Sequence, residues 1–149
     1  MKIFDTMRDV LRTKGHALFT LTPESTVYRA IEMMADKHVG ALLVTNGERL
    51  VGIISERDYA RKVILKGKSS KDTLVEEIMT TPVIFVDSRQ TIDDCMRIMT
   101  ENRIRHLPIV ESDKVIGIVS IGDLVKWVIS NQEQTIQQLQ DYITGKYPV

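Results

Sequence analysis

Gly52-Ile53-Ile54-Ser55-Glu56-Arg57-Asp58 returns 65 residues later as Gly117-Ile118-Val119-Ser120-Ile121-Gly122-Asp123. The shift runs without a gap from residues 21–64 onto residues 86–129, and it lays Val27, Ala30, Ile31 and Met34 over Ile92, Cys95, Met96 and Met99. Only nine of the 44 pairs are identical, yet apolar residues nearly always meet apolar residues. The chain is an old duplication of one folding unit, and function is sought in what the copies share.

Each copy has the same local order. The stripes Val27, Ala30, Ile31, Met34 and Ile92, Cys95, Met96, Met99 follow the i, i+3, i+4, i+7 spacing of a helix with one buried face. Thr26 and Thr91 stand just before them, where a hydroxyl can accept from an unpaired helix amide. Two apolar runs follow, Ala41–Thr45 and Leu50–Ser55 around Asn46-Gly47-Glu48-Arg49, then Leu107–Val110 and Val115–Ser120 around Glu111-Ser112-Asp113-Lys114. These predict hairpins. A second helix passes through Tyr59, Ala60, Val63, Ile64 or Leu124, Val125, Val128, Ile129, and an extended piece, Leu18–Leu21 or Val83–Val86, precedes each copy. The expected class is α+β, two βαββα units.

Before each extended piece lies a short amphipathic turn, Met7–Leu11 or Leu74–Met79, the second opened by Thr73 with Glu76 three residues on, a capping-box pattern. Lys66-Gly67-Lys68-Ser69-Ser70-Lys71 is too polar to pack and reads as a linker with solvated lysines. Ile136, Leu139 and Ile143 form a last helical stripe that Gly145 can end, with Pro148 beyond. The expected organisation is a first repeat with its N-terminal helix over 1–66, a linker over 67–72, a second repeat over 73–130, and a C-terminal helix and tail over 131–149.

Composition removes several function classes. A chain of 149 residues suits one compact fold, which buries roughly 70% of the surface its unfolded form exposes. Twenty basic and twenty acidic residues cancel, so no global field attracts nucleic acid or an anionic membrane, and any anion must be held locally. The longest apolar runs fall far short of the roughly 20 residues of a bilayer span, and no signal-peptide pattern opens the chain. A soluble, cytoplasmic protein is expected. The single cysteine, Cys95, sits on an apolar stripe and reads as core. His16, His38 and His106 show no metal-ligand spacing, and no nucleophile–base arrangement stands out, so neither a metal nor an enzyme is expected.

The repeated Ser-x-x-Asp, Ser55 to Asp58 and Ser120 to Asp123, lies at a strand-to-helix junction. As a cap it is worth about 1 kcal/mol and needs no ligand. As a site, the helix start offers free amides and a positive dipole end to phosphate, and the carboxylate can accept from two ribose hydroxyls. Gly52 and Gly117, inside β-branched strands, would let a flat base approach the backbone. The copies differ at Arg105-His106, which faces Gly40-Ala41 across the duplication: a guanidinium fork and an imidazole suit phosphate oxygens, and copy one offers no charge there.

The repeated units, with their hairpins ending in Gly-Ile-Ile-Ser-Glu-Arg-Asp and Gly-Ile-Val-Ser-Ile-Gly-Asp, resemble a tandem pair of cystathionine-β-synthase (CBS) domains, a Bateman module, over nearly the whole chain. The resemblance implies pseudo-two-fold packing of the units and adenosine nucleotides (AMP, ADP, ATP or NAD(H)) in clefts built from both copies. It implies a first site of Thr13, Lys14, Val39, Gly40, Ser120, Gly122 and Asp123, with Asp123 on ribose and the backbone around Val39 on adenine. The second would hold Ser55, Arg57, Asp58, Thr80, Pro82, Ile104, Arg105 and His106, with Asp58 on ribose and Arg105, His106 and Arg57 toward phosphate. Gly40-Ala41 departs from the basic pair, leaving Lys14 to supply phosphate contact in the first site, and Arg12–His16, longer than its counterpart, suits a larger dinucleotide such as NAD. The expected function is a regulatory nucleotide sensor acting on an unidentified downstream protein through conformational change. A homodimer is expected through the stripes of Val63 and Ile64, Val128 and Ile129, and Ile136, Leu139 and Ile143. The competing reading is a structural dimerisation protein without ligand; nucleic-acid binding is disfavoured by the neutral charge and the few aromatic residues.

Overall fold

The computed structural model describes residues 4–144, without the side chains of Gln138 and Tyr142. The expected stop at Gly145 and Pro148 lies outside the described residues. Helix α1 (Met7–Lys14) is followed by strand β1 (Thr20–Leu21), α2 (Val27–Lys37), the hairpin β2 (Ala41–Asn46) and β3 (Arg49–Ser55), and α3 (Glu56–Tyr59). The last runs on as a π-helical turn, Ala60–Ile64. The order then repeats as α4 (Val75–Ile78), α5 (Ile92–Asn102), β4 (His106–Glu111), β5 (Lys114–Ser120) and α6 (Ile121–Ile143). Thr26 Oγ1 accepts from the Arg29 amide at 3.1 Å and Thr91 Oγ1 from the Asp94 amide at 3.2 Å, so both threonines cap as their positions predict.

Strand β2 pairs parallel with β1 and antiparallel with β3, while β4 and β5 form a two-stranded antiparallel sheet. The extended piece of copy two is reduced to a parallel bridge between Val86 and Ile109. Registers agree between copies, Ala41 opposite Ser55 and His106 opposite Ser120, which brings each serine to a strand end beside the start of a helix. The turns are tighter than the four-residue spacers suggest, because Asn46 pairs with Arg49 and Glu111 with Lys114. Ser112 and Asp113 take φ of 50° and 64°, the left-handed pair that a two-residue hairpin turn needs.

The core is in two parts, and the helices that precede the copies are exchanged between them. Met7, Val10 and Leu11 of α1 pack with Ile92, Cys95, Met99, Leu107, Ile109, Val119 and Leu124 of the second copy. Val75 and Ile78 of α4 pack with Val27, Ala30, Met34, Leu42, Val44 and Ile54 of the first. The amphipathic pattern of α1 dictates that one face be buried and leaves open against which copy. This exchange also explains the strand glycines: a Cβ on Gly117 would lie 2.6 Å from Leu11 Cδ2, and one on Gly52 would run into Met79 Sδ. They make room for Leu11 and Met79, which the exchange brings over the strands. Cys95 is fully buried, and burial, followed by the charges of Asp94 and Asp87, pushes its thiol up to about 12, far from reactivity.

Four other expectations change. The capping box of α4 is one residue later than predicted, with the Leu74 amide donating to Glu77 Oε2 at 2.6 Å while Thr73 Oγ1 donates to the Ser69 carbonyl. The polar stretch after Leu65 is exposed over residues 66–69, as its composition suggests, but its end is tied to α2: the Ser70 carbonyl accepts from the Tyr28 amide at 2.9 Å, and Lys71 Nζ stands 5.0 Å over the Tyr28 ring. The closing helix of copy two and the final stripe are one continuous α6 of 23 residues. Val63 is 1% exposed and closed to a partner, and Val128 is half-buried against its own core, whereas Ile64, Ile129, Ile136, Leu139 and Ile143 are exposed.

Candidate functional site

At the end of β3 the Ser-x-x-Asp motif forms a complete capping box. Asp58 Oδ2 accepts from the Ser55 amide at 2.9 Å and from Ser55 Oγ at 3.1 Å, and Ser55 Oγ accepts from the Asp58 amide at 3.2 Å. The other carboxylate oxygen, Oδ1, takes Thr80 Oγ1 at 3.3 Å and pairs with Lys62 Nζ at 3.0 Å. Asp58 is 9% exposed, so it is a nearly buried acid with both oxygens engaged. Thr80 reaches it because the chain after α4 pairs with β3: the Thr80 amide donates to the Ile53 carbonyl at 2.8 Å, and the Ile53 amide donates back at 3.1 Å.

A cleft of about 480 Å³ opens beside this acid. All eight residues expected in the second site line it: Ser55, Arg57, Asp58, Thr80, Pro82, Ile104, Arg105 and His106. They come from both copies, as a cleft between repeats requires. The sequence reading missed Arg61 and Lys62, which follow Asp58 by one helical turn on the π-helical segment, and Arg103, which takes φ of 54° at the end of α5. Their signal was the run of cations itself, two residues before Arg105 and three and four after Asp58. Irregular π turns are frequent at functional sites. Among the described residues, Arg57, Arg61, Arg103 and Arg105 make no side-chain hydrogen bond or ion pair, so four guanidiniums share one cleft in a chain of zero net charge. The duplication puts Gly122, Lys126, His38 and Gly40 at the equivalent positions.

The first predicted set is built differently. Of its members, Gly40 lines the cleft just described, and a Cβ there would meet the His106 ring at 3.7 Å. Asp123 Oδ2 accepts from the Ser120 amide at 2.8 Å, and the Asp123 amide donates to Ser120 Oγ at 3.1 Å. Lys14 Nζ pairs with the same Oδ2 at 2.6 Å and donates to the Ile118 carbonyl at 2.5 Å. Burial raises the Asp123 carboxyl, but the hydrogen bonds from Lys14 and the Ser120 amide outweigh it, and the group ends below the usual carboxylate range. Lys14, Ser120 and Asp123 are thus in contact. Val39 is half-buried against the first core, while Thr13 and Gly122 are exposed.

His106 lies between the two sets. Burial and then the Lys14 ammonium hold its imidazole below the ordinary histidine value; Asp123 pulls it up and Arg105 pushes it down further. Among the described residues no group of three or more His, Cys, Asp or Glu is placed to hold a metal, and no helix is long and apolar enough to cross a membrane.

The CBS domain family model matches residues 7–65 and 75–130. Over 95% of this chain and 73% of its own length, the CBS domain-containing protein CBSX3, mitochondrial, of Arabidopsis thaliana is 42% identical. A solved structure described as a putative signal-transduction protein with CBS domains from Burkholderia ambifaria MC40-6 is 51% identical, with a TM-score of 0.82 over 85% of this chain and 96% of that one. The CBS domain pair of protein MJ0100, solved with 5′-methylthioadenosine and S-adenosyl-L-methionine, shares the fold at 24% identity, with a TM-score of 0.77 over 87% of this chain and 99% of that one.

Proposed function

The chain belongs to the CBS domain family as a tandem pair, a regulatory module, and on that premise we propose that it binds an adenosine nucleotide in the cleft beside Asp58. The observation that carries this reading is the convergence of eight side chains from both copies on one cleft that also holds four unpaired guanidiniums. A volume of about 480 Å³ falls in the ordinary range for small-molecule sites. Asp58, relieved of Lys62, would take the ribose hydroxyls beside Thr80. Arg105 and His106, with Arg57, Arg61 and Arg103, would take the phosphates, since a guanidinium binds phosphate oxygens through two parallel donors. The surplus charge favours ATP and ADP over AMP, and phosphorylated ligands over adenosine or the cationic S-adenosylmethionine.

The Asp123 set, with Thr13, Lys14, Val39, Gly40, Ser120 and Gly122, is the duplicate of this site and unequal to it, because Lys14 already stands on its acid. Because the cleft is made by both copies, a ligand binds one arrangement of the copies better than another and shifts their populations, and the shift passes to a partner protein. A homodimer through Ile64, Ile129, Ile136, Leu139 and Ile143, and a cytoplasmic location, complete the reading.

The capping boxes satisfy their hydrogen bonds within the chain, which favours a second reading in which the motifs only stabilise helices of a dimerisation protein. Thermal shift against ATP, ADP, AMP, NAD, NADH and S-adenosylmethionine separates the two. A ligand at a hundred times its Kd adds about 2.7 kcal/mol of stability, and silence across the panel favours the structural reading.

A further inference from the structure

The two acids of the repeated motif are served by different groups in the same positions. At Asp58, the chain after α4 supplies a backbone amide to the strand, Thr80 N–H to the Ile53 carbonyl at 2.8 Å, and a neutral hydroxyl to the acid, Thr80 Oγ1 at 3.3 Å. At Asp123, the chain after α1 supplies neither. One ammonium does both jobs: Lys14 Nζ donates to the Ile118 carbonyl, the duplicate of Ile53, at 2.5 Å and to Asp123 Oδ2 at 2.6 Å. Leu11 and Met79 sit alike over Gly117 and Gly52, but six residues, 12–17, then lead to Leu18, where three, 80–82, lead to Val83. The longer connection is held to β5 by side chains, with His16 Nδ1 at 2.9 Å from the Ile116 carbonyl oxygen as the second tie.

We infer that Lys14 is an internal competitor for Asp123: its ammonium holds Oδ2 of the carboxylate that a ligand ribose would need, and so limits the module to one nucleotide per chain. This rests on the reading of Ser-x-x-Asp as a ribose site. Asp58 also has a lysine, but Lys62 stands one turn along the same helix, shares its ammonium with the Ile78 carbonyl at 2.8 Å, and forms part of the wall of an open cleft. Lys14 instead comes from another element and bridges the strand edge to the acid. A ribose that displaced it would have to break a charge-assisted pair whose members are 35% and 27% exposed, and a neutral hydroxyl returns less than the ammonium gave. Lys14 thus sets which of two duplicated sites is filled.

The test counts sites by calorimetry with AMP on the full chain and on Lys14→Met, which keeps the aliphatic stem and removes the charge, with Lys14→Gln as a second variant should the first fold poorly. The variant is expected to bind one AMP more per chain than the wild type, and adding Asp123→Asn to it should return the count to the wild-type value. Equal counts in wild type and both variants, including none in any, overturn the inference. A wild-type count of zero contradicts the proposed Asp58 site, and a gain of one in the variant would even then support the role of Lys14.

Discussion

Leu11 Cδ2 lies where only a glycine at 117 leaves room for it, 2.6 Å from the position a Cβ would take there, and it is this contact that anchors the first helix in the core of the second copy. Gly117→Ala must therefore push a branched, fully buried side chain aside. The expected cost is about 1–3 kcal/mol, the usual range for overpacking. Gly52→Ala should cost less, because its neighbour Met79 is unbranched and can turn its thioether away. Thermal or urea unfolding of the two variants checks both the magnitude and the order. Equal and negligible effects would mean that the glycines serve something other than the exchanged helices.

The imidazole of His106 gives a direct report on the Lys14–Asp123 pair. Burial is the largest cause of its lowered value, and Lys14 is the next. Lys14→Met removes a cation and leaves Asp123 uncompensated, so the His106 value should rise. Asp123→Asn removes the one contribution that raises it, so there it should fall. Proton NMR titration, with His106→Gln to identify the resonance, reads both directions.

The same residue makes stability depend on pH. Its value in the folded chain is below the unfolded 6.5, so the neutral ring stabilises the fold above about pH 6.5 and that contribution is lost as pH falls through the folded value. The carboxyl of Asp123, also lowered, loses its contribution only in the more acidic window below the ordinary aspartate value. Between pH 7.5 and 5.5 the wild type should thus lose more Tm than His106→Gln does.

Assembly is tested by light scattering. Ile129, Ile136, Leu139 and Ile143 recur along one helix and are 51%, 54%, 58% and 81% exposed. Spaced at seven, three and four residues, they form one apolar stripe. A mass about twice the 17.0 kDa chain is expected at micromolar concentration, falling toward one chain in Leu139→Glu.

What the sequence made legible follows from periodicity. The repeat placed the helices, hairpins and caps, because Thr26, Thr91 and the alternating strands each act locally. It also brought eight residues around Asp58 and Arg105 to one cleft, since those positions are fixed by strand ends in a common register. The exchange of α1 and α4 was not legible: an amphipathic face specifies burial, and Met7, Val10 and Leu11 would suit either core. Nor did the strand glycines show their neighbours, for a missing side chain does not say what fills its space. Lys14 was noticed as a cation, while its partner was set by a three-residue difference in a connection that carries no periodic pattern.

Asp58 offers the final discrimination, because it is nearly buried and Asp58→Asn keeps its shape while removing the charge. Calorimetry of AMP and adenosine on wild type, Asp58→Asn and Arg105→Ala tests the central claim. Asp58→Asn is expected to weaken both ligands at the Asp58 cleft. Arg105→Ala is expected to weaken AMP by about 1.5–3 kcal/mol, the worth of a charge-assisted hydrogen bond, and to leave adenosine nearly unchanged. Equal losses of AMP and adenosine in Arg105→Ala, or unaltered binding in Asp58→Asn, would contradict it.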